Sequence, residues 1–125
     1  MQLLHEVREE SLAVFELDSW QLQGFGEAHM SPHIAVFTTF YPDHLNYYKN
    51  DLEAYLGDKA HIFLNQTEDD VLIVGKRCAP TLIEKYGERI ESKTLVVDES
   101  KLPDTWVLQV PGTHNRYNAA LALAA

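Results

Sequence analysis

Residues 33–75 read HIAVFTTFYPDHLNYYKNDLEAYLGDKAHIFLNQTEDDVLIVG. The apolar runs IAVF and VLIV are continuous rather than alternating, which is typical of strands that are covered on both faces. Between them, the apolar residues from about Asn50 to Leu64 recur on one face of a helix. This order of strand, helix and strand predicts two parallel strands joined by a helical crossover.

The same alternation continues on both sides of this stretch. We predict further strands at SLAVFEL (11–17), KTLVVDE (93–99) and TWVLQV (105–110), with the first of these ending at Glu16. We predict helices at MQLLHEVREE (1–10), APTLIEKYGERI (79–90) and THNRYNAALALAA (113–125), and we interpret residues 18–32 as a connection. The predicted fold class is therefore α/β, with a mainly parallel sheet flanked by helices.

Composition limits the partners of the chain. Its 125 residues and 14.3 kDa suit one domain. A net charge of −9 argues against general affinity for nucleic acid or for anionic membranes. The single cysteine, Cys78, cannot form an internal disulfide, which fits a cytoplasmic location, and no apolar run is long enough to span a membrane.

Lys59 is the unusual residue of the predicted helix between the two runs. It falls in the middle of the apolar face, four residues after Tyr55 and four before Phe63. One interpretation is a lysine whose stem packs while its ammonium group reaches water. The other is a desolvated lysine with a lowered pKa, whose neutral amine reacts with carbon dioxide to form a carbamate that can hold a metal ion. The pattern leaves both open.

Other polar residues follow the predicted strands, where ligands bind in parallel α/β sheets. Glu16 is a candidate Mg²⁺ ligand or a simple cap, and His44 is a candidate ligand or a surface residue. At the last helix, Thr113 is a candidate cap. Asn115 and Asn118 lie three residues apart and share one face, where they can contact a nucleotide or serve as turn residues.

Several common motifs are absent from the sequence. The phosphate-binding pattern G-x-x-x-x-G-K-[ST] is missing, because the nearest match around Gly75-Lys76 has Asp70 in place of the first glycine and Arg77 in place of Ser or Thr. The six histidines and the cysteine show no spacing that is typical of zinc sites.

Four segments occur in an order that resembles the central ATP-binding domain of the Mur ligase family. They are VFELDSWQLQG, YPDHLNYY, GDKAHIF and GTHNRYNAALALAA, and they resemble the family patterns E-L-S-S-F-Q-L, P-D-H-L-D, A-K-x-R-I-F and G-x-H-N-x-x-N. The resemblance covers nearly the whole chain from about Leu12. It is greatest for the members that join D-glutamate to UDP-N-acetylmuramoyl-L-alanine through an acyl phosphate, with ATP and Mg²⁺.

The resemblance implies a role for each matching residue. Metal binding is implied for Glu16, His44 and Lys59, with Lys59 carbamylated and both His44 and Lys59 serving catalysis. Contacts with ATP are implied for Asn115 and Asn118. Contacts with the muramoyl substrate are implied for Ser19, Gln21 and His44.

The sequence also departs from the family patterns. Asp18 stands where serine is usual, Asn46 where aspartate is usual, and Thr39 where asparagine is common. In the family, the phosphate loop precedes the metal-binding glutamate and a further domain follows. We therefore expect residues 1–125 to be part of a central domain. The alternatives are another Mur-type or folylpolyglutamate-type ligase, and a non-catalytic α/β binding module.

We predict that the 125-residue chain alone neither hydrolyses ATP nor ligates an amino acid, because it lacks a phosphate-binding loop. Phosphate release from ATP by the purified chain is the measurement, with a heat-denatured sample as the control. Release above that control would contradict the prediction.

Overall fold

The computed structural model describes residues 6–43 and 46–125 and contains a parallel three-stranded sheet with flanking helices. This confirms the predicted fold class. In chain order the elements are α1 (Ser19–Glu27), β1 (Ile34–Phe37), α2 (Leu52–Ala60), β2 (Val71–Gly75), α3 (Ala79–Tyr86), β3 (Lys93–Val97) and α4 (Thr113–Ala124). Short 3₁₀ turns follow α3 at Gly87–Arg89 and β3 at Glu99–Lys101.

The strands lie in the order β1-β2-β3, so that β2 occupies the centre of the sheet. Ile34 pairs with Val71 in one ladder, and Val71 pairs with Lys93 in the other. All four residues from Leu72 to Gly75 are buried, as the continuous apolar run VLIV predicts.

Alternate residues of the strands serve two separate cores. On one face, Ala35, Phe37, Leu72 and Val74 form a buried cluster with residues of α2 and α3. On the other face, Ile73 and Val97 pack in a second cluster with α4. Successive side chains of a strand point to opposite faces, so helices on both sides are needed to bury these apolar runs.

Buried Gln66 connects the amino ends of the three strands. Its amide nitrogen donates to the carbonyl of Pro32, before β1, at 2.9 Å and to that of Val71, the first residue of β2, at 3.0 Å. Its amide oxygen accepts from the hydroxyl of Ser92, just before β3, at 2.8 Å. Because the side chain is 4% exposed, each of these bonds offsets the cost of removing a polar group from water.

Helix α2 confirms the amphipathic helix predicted between the two strands, with shorter bounds. The carboxylate of Asp51 caps it by accepting from the backbone N–H groups of Glu53 and Ala54, each at 3.0 Å. After Ala60 the chain continues as turns. There, the hydroxyl of Ser31 donates to the carbonyl of His61 at 2.8 Å and accepts from the N–H of Asn65 at 3.1 Å.

Residues 18–32 were predicted to be a connection, and this prediction was wrong. The carboxylate of Asp18 accepts from the N–H of Gln21, and the side chain of Gln21 accepts from the N–H of Asp18, both at 2.9 Å. This reciprocal capping box starts α1. The pattern D-x-x-Q in the sequence was the signal for this helix.

Two of the predicted strands and one predicted helix are absent from the described residues. Segments 11–17 and 105–110 have strand-like composition but pair with none of the described strands. Leu12 and Val14 are each 97% exposed, and Val107 is 91% exposed. Residues 6–10 form turns rather than a helix, and residues 1–5 of that prediction lie outside the described part. Composition alone is insufficient, because a strand exists only where a neighbour completes its hydrogen bonds.

Gly75, at the carboxyl end of β2, lies in the tightest place next to the sheet. A Cβ atom there would lie 1.9 Å from the hydroxyl oxygen of Tyr117 and 2.5 Å from the carbonyl oxygen of Thr38. By contrast, a Cβ atom on Gly24, within α1, would meet no atom within 4 Å. Only glycine therefore fits the end of β2 without a shift of its neighbours.

We predict that Gly75→Ala lowers the free energy of unfolding by about 1–3 kcal/mol, because overpacking displaces Tyr117 or the backbone of Thr38. Gly24→Ala is the matched control and should raise it by about 0.5–1 kcal/mol, since alanine is the better helix former. Urea unfolding followed by tryptophan fluorescence measures both. Equal stability of the two variants would contradict the packing described here.

Candidate functional site

Lys59 lies on the inner face of α2, close to the carboxyl end of β1. Its side chain is partly buried, and its Nζ atom lies 5.4 Å from the ring centroid of Tyr55 and 5.9 Å from that of Phe37. The periodicity of the sequence therefore placed this lysine correctly against apolar neighbours. The aromatic faces attract the ammonium group but supply no hydrogen-bond acceptor as strong as water.

Burial lowers the pKa of the Lys59 ammonium group below its ordinary value. Three acidic groups oppose this effect and favour the charged form, namely Cys78, Asp18 and Asp43. Since desolvation is the largest cause, the neutral amine is more populated here than on a surface lysine. Such an amine is the form that reacts with carbon dioxide.

A small pocket of about 60 Å³ lies next to Lys59. Residues 36–39, at the end of β1 and just beyond it, line one side of the pocket. Leu17, Leu22 and Ile62 line the rest together with Lys59. The pocket has room for a few water-sized molecules and lies where parallel α/β sheets bind their ligands.

Asp58, next to Lys59 in α2, holds α1 in place. One oxygen of its carboxylate accepts from the side-chain amide of Gln23 at 2.7 Å and from the hydroxyl of Tyr48 at 2.9 Å. Burial, with a further contribution from Asp58, raises the pKa of Tyr48 to about 12, so Tyr48 remains a hydrogen-bond donor. This network, which we did not predict from the sequence, holds the middle of α1 against α2.

Of the other two predicted metal ligands, Glu16 lies within the described residues and His44 does not. Glu16 is exposed in the irregular segment before α1, one residue before the pocket-lining Leu17. His44 lies outside the described residues, but Asp43 is described. Burial lowers the pKa of Lys59 and raises that of Tyr55, and the charge of Asp43 opposes the first shift and adds to the second. Within residues 6–43 and 46–125, no group of three or more His, Cys, Asp or Glu side chains could hold a metal ion.

Whether a divalent cation suits this site depends on the charge that Lys59 carries. As an ammonium ion, Lys59 repels a cation, and Asp18 uses one carboxylate oxygen to cap α1. As a carbamate, Lys59 would add two oxygen atoms within electrostatic range of the carboxylates of Asp18 and Asp43. Oxygen donors of this kind suit Mg²⁺, so the residues present fit the ion only in the carbamylated form.

The two residues predicted to contact substrate lie at the start of α1. Ser19 is 2% exposed, and it contacts Tyr48. Gln21 is exposed and uses its side-chain oxygen in the capping box. The capping contact gives Gln21 a structural role, whereas the buried hydroxyl oxygen of Ser19 has no partner at hydrogen-bonding geometry among the described residues. Both residues lie within one helical turn before Leu22, at the edge of the pocket.

The asparagines predicted to contact a nucleotide lie in the first two turns of α4. The side-chain amide of Asn115 donates to the carbonyl of Pro111 at 2.7 Å, and Asn118 is exposed. The prediction that Thr113 caps the helix was wrong. Gly112 occupies the cap position with φ of 115°, a conformation that favours glycine, and Thr113 is the first helical residue.

The basic residues after β2 are paired with acidic residues after β3. Lys76 Nζ lies 2.7 Å from a carboxylate oxygen of Asp98, and this contact lowers the pKa of Asp98 to about 2. Arg77 lies 3.7 Å from the carboxylate of Glu99. Lys76 is therefore an ion-pair partner of Asp98 at the carboxyl ends of the strands.

Comparison with known proteins gives a consistent result. Residues 1–102 match the family described as the Mur ligase middle domain. The chain is 32% identical to UDP-N-acetylmuramoylalanine--D-glutamate ligase of Ligilactobacillus salivarius over 98% of its length. It is 33% and 34% identical to the ligases of the same name from Staphylococcus epidermidis and Staphylococcus aureus over 99% of its length. The chain spans 30% of the length of each relative.

Because burial lowers the pKa of Lys59, the unfolded chain binds that proton more tightly than the folded chain. Its destabilising effect is therefore greatest at low pH and fades as pH rises towards the ordinary value of 10.5. We predict that the unfolding free energy of the wild type, minus that of Lys59→Met, increases as pH rises from neutral towards the ordinary lysine value of 10.5. Urea unfolding at each pH measures this difference.

Lys85→Met is the matched control for this prediction. A hydrogen bond to Glu53 raises the pKa of Lys85, so its contribution is fully present below 10.5 and is lost only as pH rises through the folded pKa. The difference for Lys85 should therefore show no increase over the same range. An equal increase in this free-energy difference for both lysines, or no increase for Lys59, would contradict a lowered pKa of Lys59.

Proposed function

The chain belongs to the Mur ligase family, and on that premise we propose that it is part of the central domain of a ligase that joins D-glutamate to UDP-N-acetylmuramoyl-L-alanine. The observation that carries this proposal is the identity of 32–34% to ligases named for that reaction, over nearly the whole chain. The four sequence segments in family order support it as well.

The proposed reaction is an ATP-dependent amide ligation. The carboxylate of UDP-N-acetylmuramoyl-L-alanine attacks the γ-phosphorus of ATP, the bond to the β-phosphate oxygen breaks, and ADP leaves. The amine of D-glutamate then attacks the carbonyl carbon of the acyl phosphate, the C–N bond forms, and phosphate and a proton are released. Bound Mg²⁺ would supply neutralisation of charge on the phosphoryl group.

Lys59 has the central role in this proposal. Its partly buried neutral amine reacts with carbon dioxide, forming an N–C bond and releasing a proton. The product is a carbamate, an anion with two oxygens, where an ordinary lysine carries a cation. The lowered pKa and the adjacent pocket support this modification. We propose that the carbamate, Glu16 and His44 hold the metal ions, with His44 also near the muramoyl substrate.

The remaining predicted residues are assigned to the two ligands. For Asn115 and Asn118 we propose contacts with ATP, because the amino-terminal end of α4 favours an anionic ligand. For Ser19 and Gln21 we propose a position on the substrate side, because both lie within one helical turn before the pocket-lining Leu22.

We also propose that this reaction takes place in the cytoplasm, where ATP is available. Among the described residues, no helix combines the length and the apolar character that crossing a membrane requires.

Two experiments separate this proposal from its alternatives. The coding sequence that flanks the chain should contain a G-x-x-x-x-G-K-[ST] segment upstream, and a scaffold module should lack it. The purified full-length protein should release phosphate from ATP with D-glutamate as the amino-acid substrate. Dependence on a different amino acid would indicate another Mur-type ligase, and the absence of any ATP-dependent reaction would refute the proposal.

We predict that Lys59→Ala in the full-length protein lowers kcat by about tenfold to hundredfold, because the proposed oxygen ligand for the metal ion is lost. Lys85→Ala, which removes an exposed lysine paired with Glu53, is the control and should retain activity. Phosphate release under saturating substrates measures kcat. Full activity of Lys59→Ala would exclude the carbamate mechanism.

A further inference from the structure

Tyr117 in α4 joins the carboxyl ends of two strands through its hydroxyl group. The hydroxyl donates to the carbonyl of Thr38, just beyond β1, at 3.3 Å and accepts from the N–H of Arg77, just beyond β2, at 3.4 Å. The side chain is 1% exposed, and its ring packs in the cluster that contains Ile73 and Leu121. A buried phenol that lost these partners would lose stability.

The surroundings are shaped to admit this hydroxyl group. Gly75 leaves the space into which the Tyr117 oxygen projects, since a Cβ atom there would lie 1.9 Å from it. The guanidinium group of Arg77 covers the ring, with its Cζ atom 4.5 Å from the ring centroid. Burial of the ring raises the pKa of Tyr117, so the hydroxyl keeps its proton and remains a donor.

Apolar packing alone does not require this hydroxyl group, because a phenylalanine ring would fill the same space. The hydroxyl adds hydrogen bonds between α4 and the residues that follow β1 and β2. Tyr117 precedes Asn118 directly and follows Asn115 by two residues, so these bonds act on the first two turns of α4. Those turns carry both asparagines assigned to ATP.

We infer that Tyr117 is a positioning residue for nucleotide binding, which sets the first two turns of α4 against the carboxyl ends of β1 and β2. This inference rests on the proposed function, in which Asn115 and Asn118 contact ATP. Tyr117 itself lies beneath the surface and acts through the asparagines rather than on the ligand.

Tyr117→Phe in the full-length protein tests the inference, since it keeps the ring and removes only the hydroxyl. Loss of one hydrogen-bonded link should raise KM for ATP by about fivefold, with kcat and the KM for D-glutamate within about twofold of the wild type. Tyr86→Phe is the matched control, because Tyr86 packs against Phe63 on the opposite face of the sheet. It should leave all three parameters unchanged.

Hydrogen exchange supplies a second measurement that is independent of turnover. A non-hydrolysable ATP analogue should slow amide exchange in residues 115–120 of the wild type and of Tyr86→Phe, and should slow it less in Tyr117→Phe. An unchanged KM for ATP, or an equal loss in kcat and in every KM, would overturn the positioning role alone. Failure of the wild type to bind the analogue would overturn the proposed function and this inference together.

Discussion

Strand β2 is covered on every side, and the rest of the fold is arranged around this constraint. It pairs with β1 on one edge and β3 on the other, and helices cover both of its faces. Its buried residues Leu72, Ile73 and Val74 contribute roughly 1.5–3 kcal/mol each from burial. A strand with no solvent-facing side requires partners on both edges and helices on both faces, which is the reason that the chain alternates between the two kinds of element.

The two ends of the sheet have different roles. At the amino ends, Gln66 bonds polar groups just before β1 and β3 and at the first residue of β2. His33 and Asp70, which precede β1 and β2 directly, are joined by a side-chain contact of 2.7 Å. At the carboxyl ends, the described contacts bring together a partly buried amine, a pocket and the hydroxyl of Tyr117. The amino ends stabilise the register, and this leaves the carboxyl ends free to carry the candidate site.

The sequence predicted those features that depend on local pattern. The three paired strands and helices α2, α3 and α4 follow from apolar runs and periodicity, and so does the inward position of Lys59. Helix α1 was missed because its capping box was interpreted as a connection. The contacts of Gln66 and Tyr117 were not predictable in this way, because each joins segments that meet only after the sheet has formed. Likewise, segment 11–17 has the composition of a strand, but pairing is a property of the fold.

The environment of Lys59 also explains why its modification and metal binding would depend on each other. Burial favours the neutral amine that reacts with carbon dioxide, while the charges of Asp18 and Asp43 oppose that form. Once formed, a carbamate would be repelled by the charges of the same two carboxylates. A divalent cation relieves this repulsion, and the carbamate in turn supplies the oxygens that the ammonium group lacks. By linkage, each would therefore strengthen the binding of the other, so the proposed metal site would be most stable when carbon dioxide and the cation are both present.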